Sequence, residues 1–150
     1  MANLLEIGER IEPFTLPLAG TNETLLSSEI IGNRRTVVLV VGDEGASAAK
    51  WLSEAGQRMS ELTERDMTVL VISPGPESEA RFATLPTPVF YLLRDAYHEE
   101  EKRLGGAPAF YLVGKDGTIK RADLTFPPLD TIFQQIDSMP MRQQEMKQDP

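Results

Sequence analysis

Two apolar runs rich in β-branched residues stand out along the chain. They are residues 36–41, TVVLVV, and residues 67–73, MTVLVIS. Continuous runs of this length suit strands buried on both faces, as in a parallel sheet covered by helices. Between them Ala48, Trp51, Leu52, Ala55, Met59 and Leu62 recur at the spacing of one helical face, which predicts a helix over residues 47–65. Glu54 with Arg58 and Glu61 with Arg65 fall in the favourable i,i+4 order on that helix.

Before the first run, Phe14, Leu16 and Leu18 alternate with polar residues or proline. A turn over residues 19–22 and a short return at Thr24, Leu25 and Leu26 complete a predicted hairpin. Ser27, Ser28 and Glu29 then predict a helical turn, ended by Gly32 and Asn33. After the second run, Pro74-Gly75-Pro76 breaks the strand, and a short helix is expected over residues 77–83. A third strand is expected at 89–93 and a charged helix at 96–104, stopped by Gly105-Gly106. Two strands at 109–113 and 118–124 flank an Asp-Gly hairpin signal, Asp116-Gly117. Leu129, Ile132, Phe133 and Ile136 mark one face of a last helix over 128–139, with Pro128 in its first turn. Residues 140–150 lack periodicity and are expected to form a mobile tail after a single domain spanning 1–139. Strand–helix–strand units with a terminal antiparallel pair predict an α/β fold, a central mixed sheet with helices on both faces and an N-terminal β-hairpin.

Composition narrows the chemistry. The chain has 150 residues, 41% hydrophobic and 25% charged, which suits one globular domain. A net charge of −8 argues against nucleic acid and against an anionic membrane surface as partners. The N-terminal segment interleaves Glu6, Glu9 and Glu12 with its apolar residues, so no signal-peptide core is expected there. No apolar run approaches the roughly 18 residues of a membrane span. A cytoplasmic location is the resulting expectation. Cysteine is absent, which removes disulfides, thiolate nucleophiles and cysteine-ligated metals from consideration.

The stretch from Gly105 through Pro108 and Asp116-Gly117 to Ile119 resembles the C-terminal motif of thioredoxin-like and peroxiredoxin-like proteins. In those families a cis-proline precedes a strand, a charged Asp-Gly turn and a second strand. Gly8, Pro13-Phe14, Leu16, Gly20 and Leu25 resemble the N-terminal hairpin of the alkyl hydroperoxide reductase/thiol-specific antioxidant group, a redoxin family. The resemblance covers residues 7–138 and implies a thioredoxin-like three-layer sandwich. In its register the thioredoxin C-x-x-C falls on Ala46-Ser47-Ala48-Ala49. The peroxiredoxin P-x-x-x-T-x-x-C starts at Gly42, with Ala46 in place of Thr and Ala49 in place of the peroxidatic Cys. Ala107 precedes the expected cis-proline, where Thr or Val is usual in the family. The scaffold is thus expected without its sulfur, and alanine suits a helix start.

The candidate binding surface is the former active-site loop, Gly42, Asp43, Glu44, Ser47 and Lys50, together with Ala107 and Pro108. The loop does not match G-x-x-x-x-G-K-[ST], and Asp43 and Glu44 would repel a phosphate. Helix capping by Asp43 or Ser47 is the expected role. His98 neighbours Glu99, Glu100 and Glu101, but consecutive helical positions point in different directions. A solvated charged helix therefore fits better than a metal site there. Trp51 and Met59 are expected in the core, while Pro86, Pro88, Phe90 and Tyr91 either line a groove near Pro108 or form a proline-protected edge strand. No cofactor or metal is implied. The expected function is non-catalytic binding of a protein or peptide partner. Descent from an antioxidant thiol-disulfide oxidoreductase, a homo-oligomeric scaffold such as a homodimer, and weak acid–base chemistry by Asp43 and Glu44 are the alternatives.

Overall fold

The computed structural model describes residues 4–42, 46–75 and 89–148, and the side chain of Ala46 lies outside that description. A hairpin of β1 (Thr15–Pro17) and β2 (Thr24–Leu26) leads through a 3-10 turn, Ser27–Glu29, into β3 (Arg35–Val40). Helices α1 (Ala46–Gly56) and α2 (Met59–Glu64) precede β4 (Met67–Ser73). After β5 (Phe90–Arg94) come α3 (Glu99–Arg103), β6 (Ala109–Val113), β7 (Ile119–Asp123), α4 (Leu129–Asp137) and α5 (Pro140–Gln148). The main sheet runs β5-β4-β3-β6-β7. The pairs β3–β4 and β4–β5 are parallel, and β6 is antiparallel to both β3 and β7.

Both runs of β-branched residues occupy the middle of this sheet, and every residue of β3 and β4 is buried. Alternation along β3 fills two separate cores. Val37 and Leu39 face one with Trp51, Leu52, Ile132 and Ile136 from α1 and α4. Val38 and Val40 face the other with Phe14, Leu16 and Leu25 from the hairpin segment and Leu104 beyond α3. Tyr111 sits in this second core, where its hydroxyl donates to the Leu104 carbonyl at 2.6 Å and accepts from the Leu5 N–H at 3.0 Å. The three-layer α/β arrangement is that of a thioredoxin-like fold. The chain after β1 also reaches the outer edge of the sheet, where Ala19 N–H donates to the Leu92 carbonyl of β5 at 2.9 Å. Edge strand β5 is thereby partly covered.

Several expectations are corrected in detail. The long helix over 47–65 is two helices, because the backbone leaves helical geometry at Arg58, φ −123° and ψ 38°. Arg58 does not bridge to Glu54; it pairs with Glu61 at 2.7 Å and Asp130 at 2.8 Å. Helix α3 starts at Glu99, later than expected, after His98 at φ 58°. Asp95 anchors that start by accepting the N–H groups of Glu100 at 3.3 Å and Glu101 at 2.9 Å. Residues 140–148, part of the expected mobile tail 140–150, form α5, pinned by Arg142 and Glu145 in ion pairs. The helix expected over 77–83 lies outside the described residues. Among the described residues, no helix is long and apolar enough to cross a membrane.

Candidate functional site: a groove beside Pro108

The carboxyl ends of the parallel strands β3 and β4 lie together at one end of the sheet, the usual place for sites in α/β folds. There Gly42 follows β3, and Ala107 and Pro108 lead into β6. The Ala107–Pro108 peptide bond is cis. A Cβ placed on Gly42 would stand 3.4 Å from the Ala107 Cβ, so the two segments meet backbone to side chain.

Trp51 builds the next wall. It is only 4% exposed, and its Nε1–H donates to the Pro127 carbonyl at 2.8 Å. Its ring meets Phe110 of β6 edge-on at 5.7 Å between centroids, and Phe110 meets Phe126 at 6.4 Å. These contacts fasten the segment after β7 across the start of α1. Between them lies a groove of about 410 Å³. Ser47, Lys50 and Glu54 of α1 supply its polar side, while Pro108, Leu124 and Phe126 supply much of its apolar side. Leu124 is 52% exposed although large and apolar. The volume falls within the range of small-ligand and short-peptide sites.

The structure thus brings Ser47, Lys50 and Pro108 to one groove and places Gly42 against Ala107. Ser47 lies inside α1 and does not cap it. Ala46 is the first residue of α1, and Ala49 is half-buried against the core. Asp43 and Glu44 lie outside the described residues, as do Pro86 and Pro88. Phe90 is buried in the first core rather than lining the groove. Sequence reasoning missed Glu54, Leu124 and residues 125–128. The run of Phe126, Pro127 and Pro128 was the available signal, since consecutive prolines mark a rigid loop. His98 stands 3.3 Å from Glu101, and no group of three or more His, Asp or Glu able to hold a metal occurs among the described residues.

A denser charge cluster occupies the opposite end of the sheet. Arg65 and Arg142 both reach Asp137, at 2.8 and 3.1 Å, and Arg142 also reaches Glu64 at 3.1 Å. Burial alone would raise the Asp137 carboxyl, but hydrogen bonds from Arg65 and Arg142 outweigh it and hold the group below the usual carboxylate range. Glu145 behaves likewise, with burial opposed and outweighed by Arg35 and Lys115.

A family model described as Domain of unknown function (DUF4174) matches residues 26–145. The chain belongs to the DUF4174 family. Solved structures place this DUF4174 chain among thioredoxin-like folds. A yeast mitochondrial 1-Cys peroxiredoxin superposes with a TM-score of 0.76 at 13% identity, over 94% of this chain and 79% of that one. Peroxidoxin BcpB from Mycobacterium tuberculosis gives 0.74 at 14% identity, over 90% and 98%. A 2-Cys peroxiredoxin from Plasmodium vivax gives 0.73 at 14% identity, over 92% and 98%. No curated protein matches the sequence. At these identities the likeness concerns the fold. The DUF4174 chain carries that fold with no cysteine anywhere in its sequence.

Proposed function

We propose that this DUF4174 chain is a non-catalytic thioredoxin-fold protein that acts by binding a protein or peptide partner in the groove beside Pro108. The observation that carries this reading is the groove itself. It stays open at about 410 Å³, with an exposed leucine on its rim, in a chain that has no thiol to present there. Loss of catalytic sulfur with a filled pocket would point to a purely structural remnant. An open groove with an apolar wall and the charges of Lys50 and Glu54 along one side favours a short segment of peptide, an apolar residue flanked by polar ones.

Trp51 is the only tryptophan in the chain and lines the groove, so its fluorescence reports occupancy directly. Peptides selected from a random display library against the full chain are expected to change that emission on binding. Leu124→Asp, at an exposed position, is expected to weaken those peptides at least about tenfold, roughly 1.4 kcal/mol, without unfolding the protein. Selected peptides that bind the variant equally well and leave Trp51 emission unchanged would place binding elsewhere and defeat the proposal.

A further inference from the structure

Arg35 is the first residue of β3 and is 1% exposed. A guanidinium at that depth requires matched partners, since an uncompensated buried charge is strongly destabilising. Its Nη1 and Nη2 donate to the two carboxylate oxygens of Glu145 at 3.0 and 3.1 Å, and Nη1 also donates to the Arg65 carbonyl at 2.9 Å. Lys115, in the turn after β6, donates to Glu145 Oε2 at 2.6 Å and to Asp66 at 2.8 Å. Two cations at neighbouring strand ends therefore grip one carboxylate, in the forked geometry that guanidinium groups use for such anions.

The carboxylate arrives on an element held by ion pairs, with Arg142 of α5 tied to Asp137 and Glu64 at 3.1 Å each. Helix α5 follows α4 after only Ser138 and Met139. It has no apolar face of its own: Met141 and Met146 are exposed, and Arg142 is the buried residue. Charged hydrogen bonds, and not apolar burial, hold this helix down. Such bonds can be replaced by equivalent bonds from another carboxylate. A cavity of about 470 Å³ lies alongside, lined by Arg35, Lys115 and Lys120 and by Met139 and Met141. A second carboxylate can approach through it while the sheet stays intact.

We propose that Arg35 and Lys115 form a carboxylate-binding site that Glu145 fills from within the chain, and that an outside carboxylate, from a small acid or a protein side chain, takes the same cations when α5 lifts. The groove beside Pro108 plays no part in this site, so the two readings stand or fall separately.

Chemical rescue tests it. In the full chain Glu145→Ala removes the resident carboxylate and leaves its space. At constant ionic strength, acetate is expected to raise the melting temperature of this variant saturably, whereas chloride does not. A peptide of residues 139–148 is expected to do the same, and its Glu145→Gln version is not. Both effects should be far smaller in the wild-type chain and should be lost when Lys115→Met is added. Rescue by acetate alone assigns the site to small acids, and rescue by the peptide alone assigns it to protein carboxylates. Rescue by neither, or equal effects on wild type and variant, overturns the proposal. Should Glu145→Ala fail to fold, the Arg35 guanidinium nitrogen signals of the wild-type chain, read at acetate concentrations raised until acetate competes with the resident Glu145, serve instead. They are expected to shift with acetate but not with chloride, while those of Arg121, paired with Asp123, stay constant. Arg35 signals that ignore acetate refute the site.

Discussion

Glu100 in α3 has one carboxylate oxygen, Oε1, held by Arg103 at 2.8 Å, while Oε2 is buried without a hydrogen-bond partner. Burial raises this carboxyl above its ordinary value of 4.5, with Arg103 only partly opposing the rise. Folding therefore favours the protonated acid. Its favourable contribution is full below about pH 4.5, the unfolded value, and is lost as pH climbs through the higher folded value. Glu100→Gln is neutral at every pH and is expected to be about 1 kcal/mol more stable than wild type at neutral pH. The gap should close at about pH 3, where both side chains are uncharged. Urea denaturation at the two pH values measures it, and a gap of equal size at both would refute the argument. Trp51 makes the second argument at this scale. Trp51→Phe keeps an aromatic ring beside Phe110 but removes the bond to the Pro127 carbonyl. The expected loss is about 1–3 kcal/mol, read by thermal or urea unfolding. Sequence spacing alone put Trp51 in the core, which is correct. Spacing could not show that the same ring also lines a groove, because its partner Pro127 lies 76 residues away.

Among the elements, α5 differs most from the others in what holds it. Asp137 and Glu145 both have carboxyls held below their usual range, so the docking they provide is fully present above that range and fades as pH falls through the lowered values. Acidification from neutral pH is thus expected to lower the hydrogen-exchange protection of the amides of α5, relative to their intrinsic rates at each pH, before that of α4, whose Leu129, Ile132, Phe133 and Ile136 are buried. Simultaneous exchange of both helices would show that α5 is fixed by something other than these ion pairs. The contrast also explains what could be read from sequence. Strands β3 and β4 and helices α1 and α4 were legible because apolar residues recur with the period of the element itself. Helix α5 was not, because its anchors are Arg35, Glu64, Lys115 and Asp137, which lie in other elements or loops. The break at Arg58 was hidden for a related reason: Asp130, which claims its guanidinium, belongs to α4. At the candidate site the same division holds. Local motif spacing pointed to Ser47, Lys50 and Pro108; Glu54 shares their face of α1, whereas Leu124 joins them only once β7 has paired with β6.

For the molecule as a whole, the fold belongs with peroxiredoxin-like chains while the thiol that defines their chemistry is absent from all 150 residues. Peroxide consumption by the purified, metal-free chain with dithiothreitol as reductant is expected to equal that of buffer, in a coupled assay able to detect a single turnover. Strand β3 sets the distance between the two regions that matter here. Its six residues, all buried, separate the ion cluster at Arg35 from the groove edge after Val40. At a strand's rise that is about 20 Å, beyond the range over which substitutions usually couple. Leu124→Asp and Glu145→Ala combined are therefore expected to change stability by the sum of their separate effects, to within about 0.5 kcal/mol. Coupling larger than that would mean the strand transmits strain between its ends. Without such coupling, substitutions can accumulate at one end of β3 without disturbing the other, so the two ends of the sheet can change independently in chains of this family.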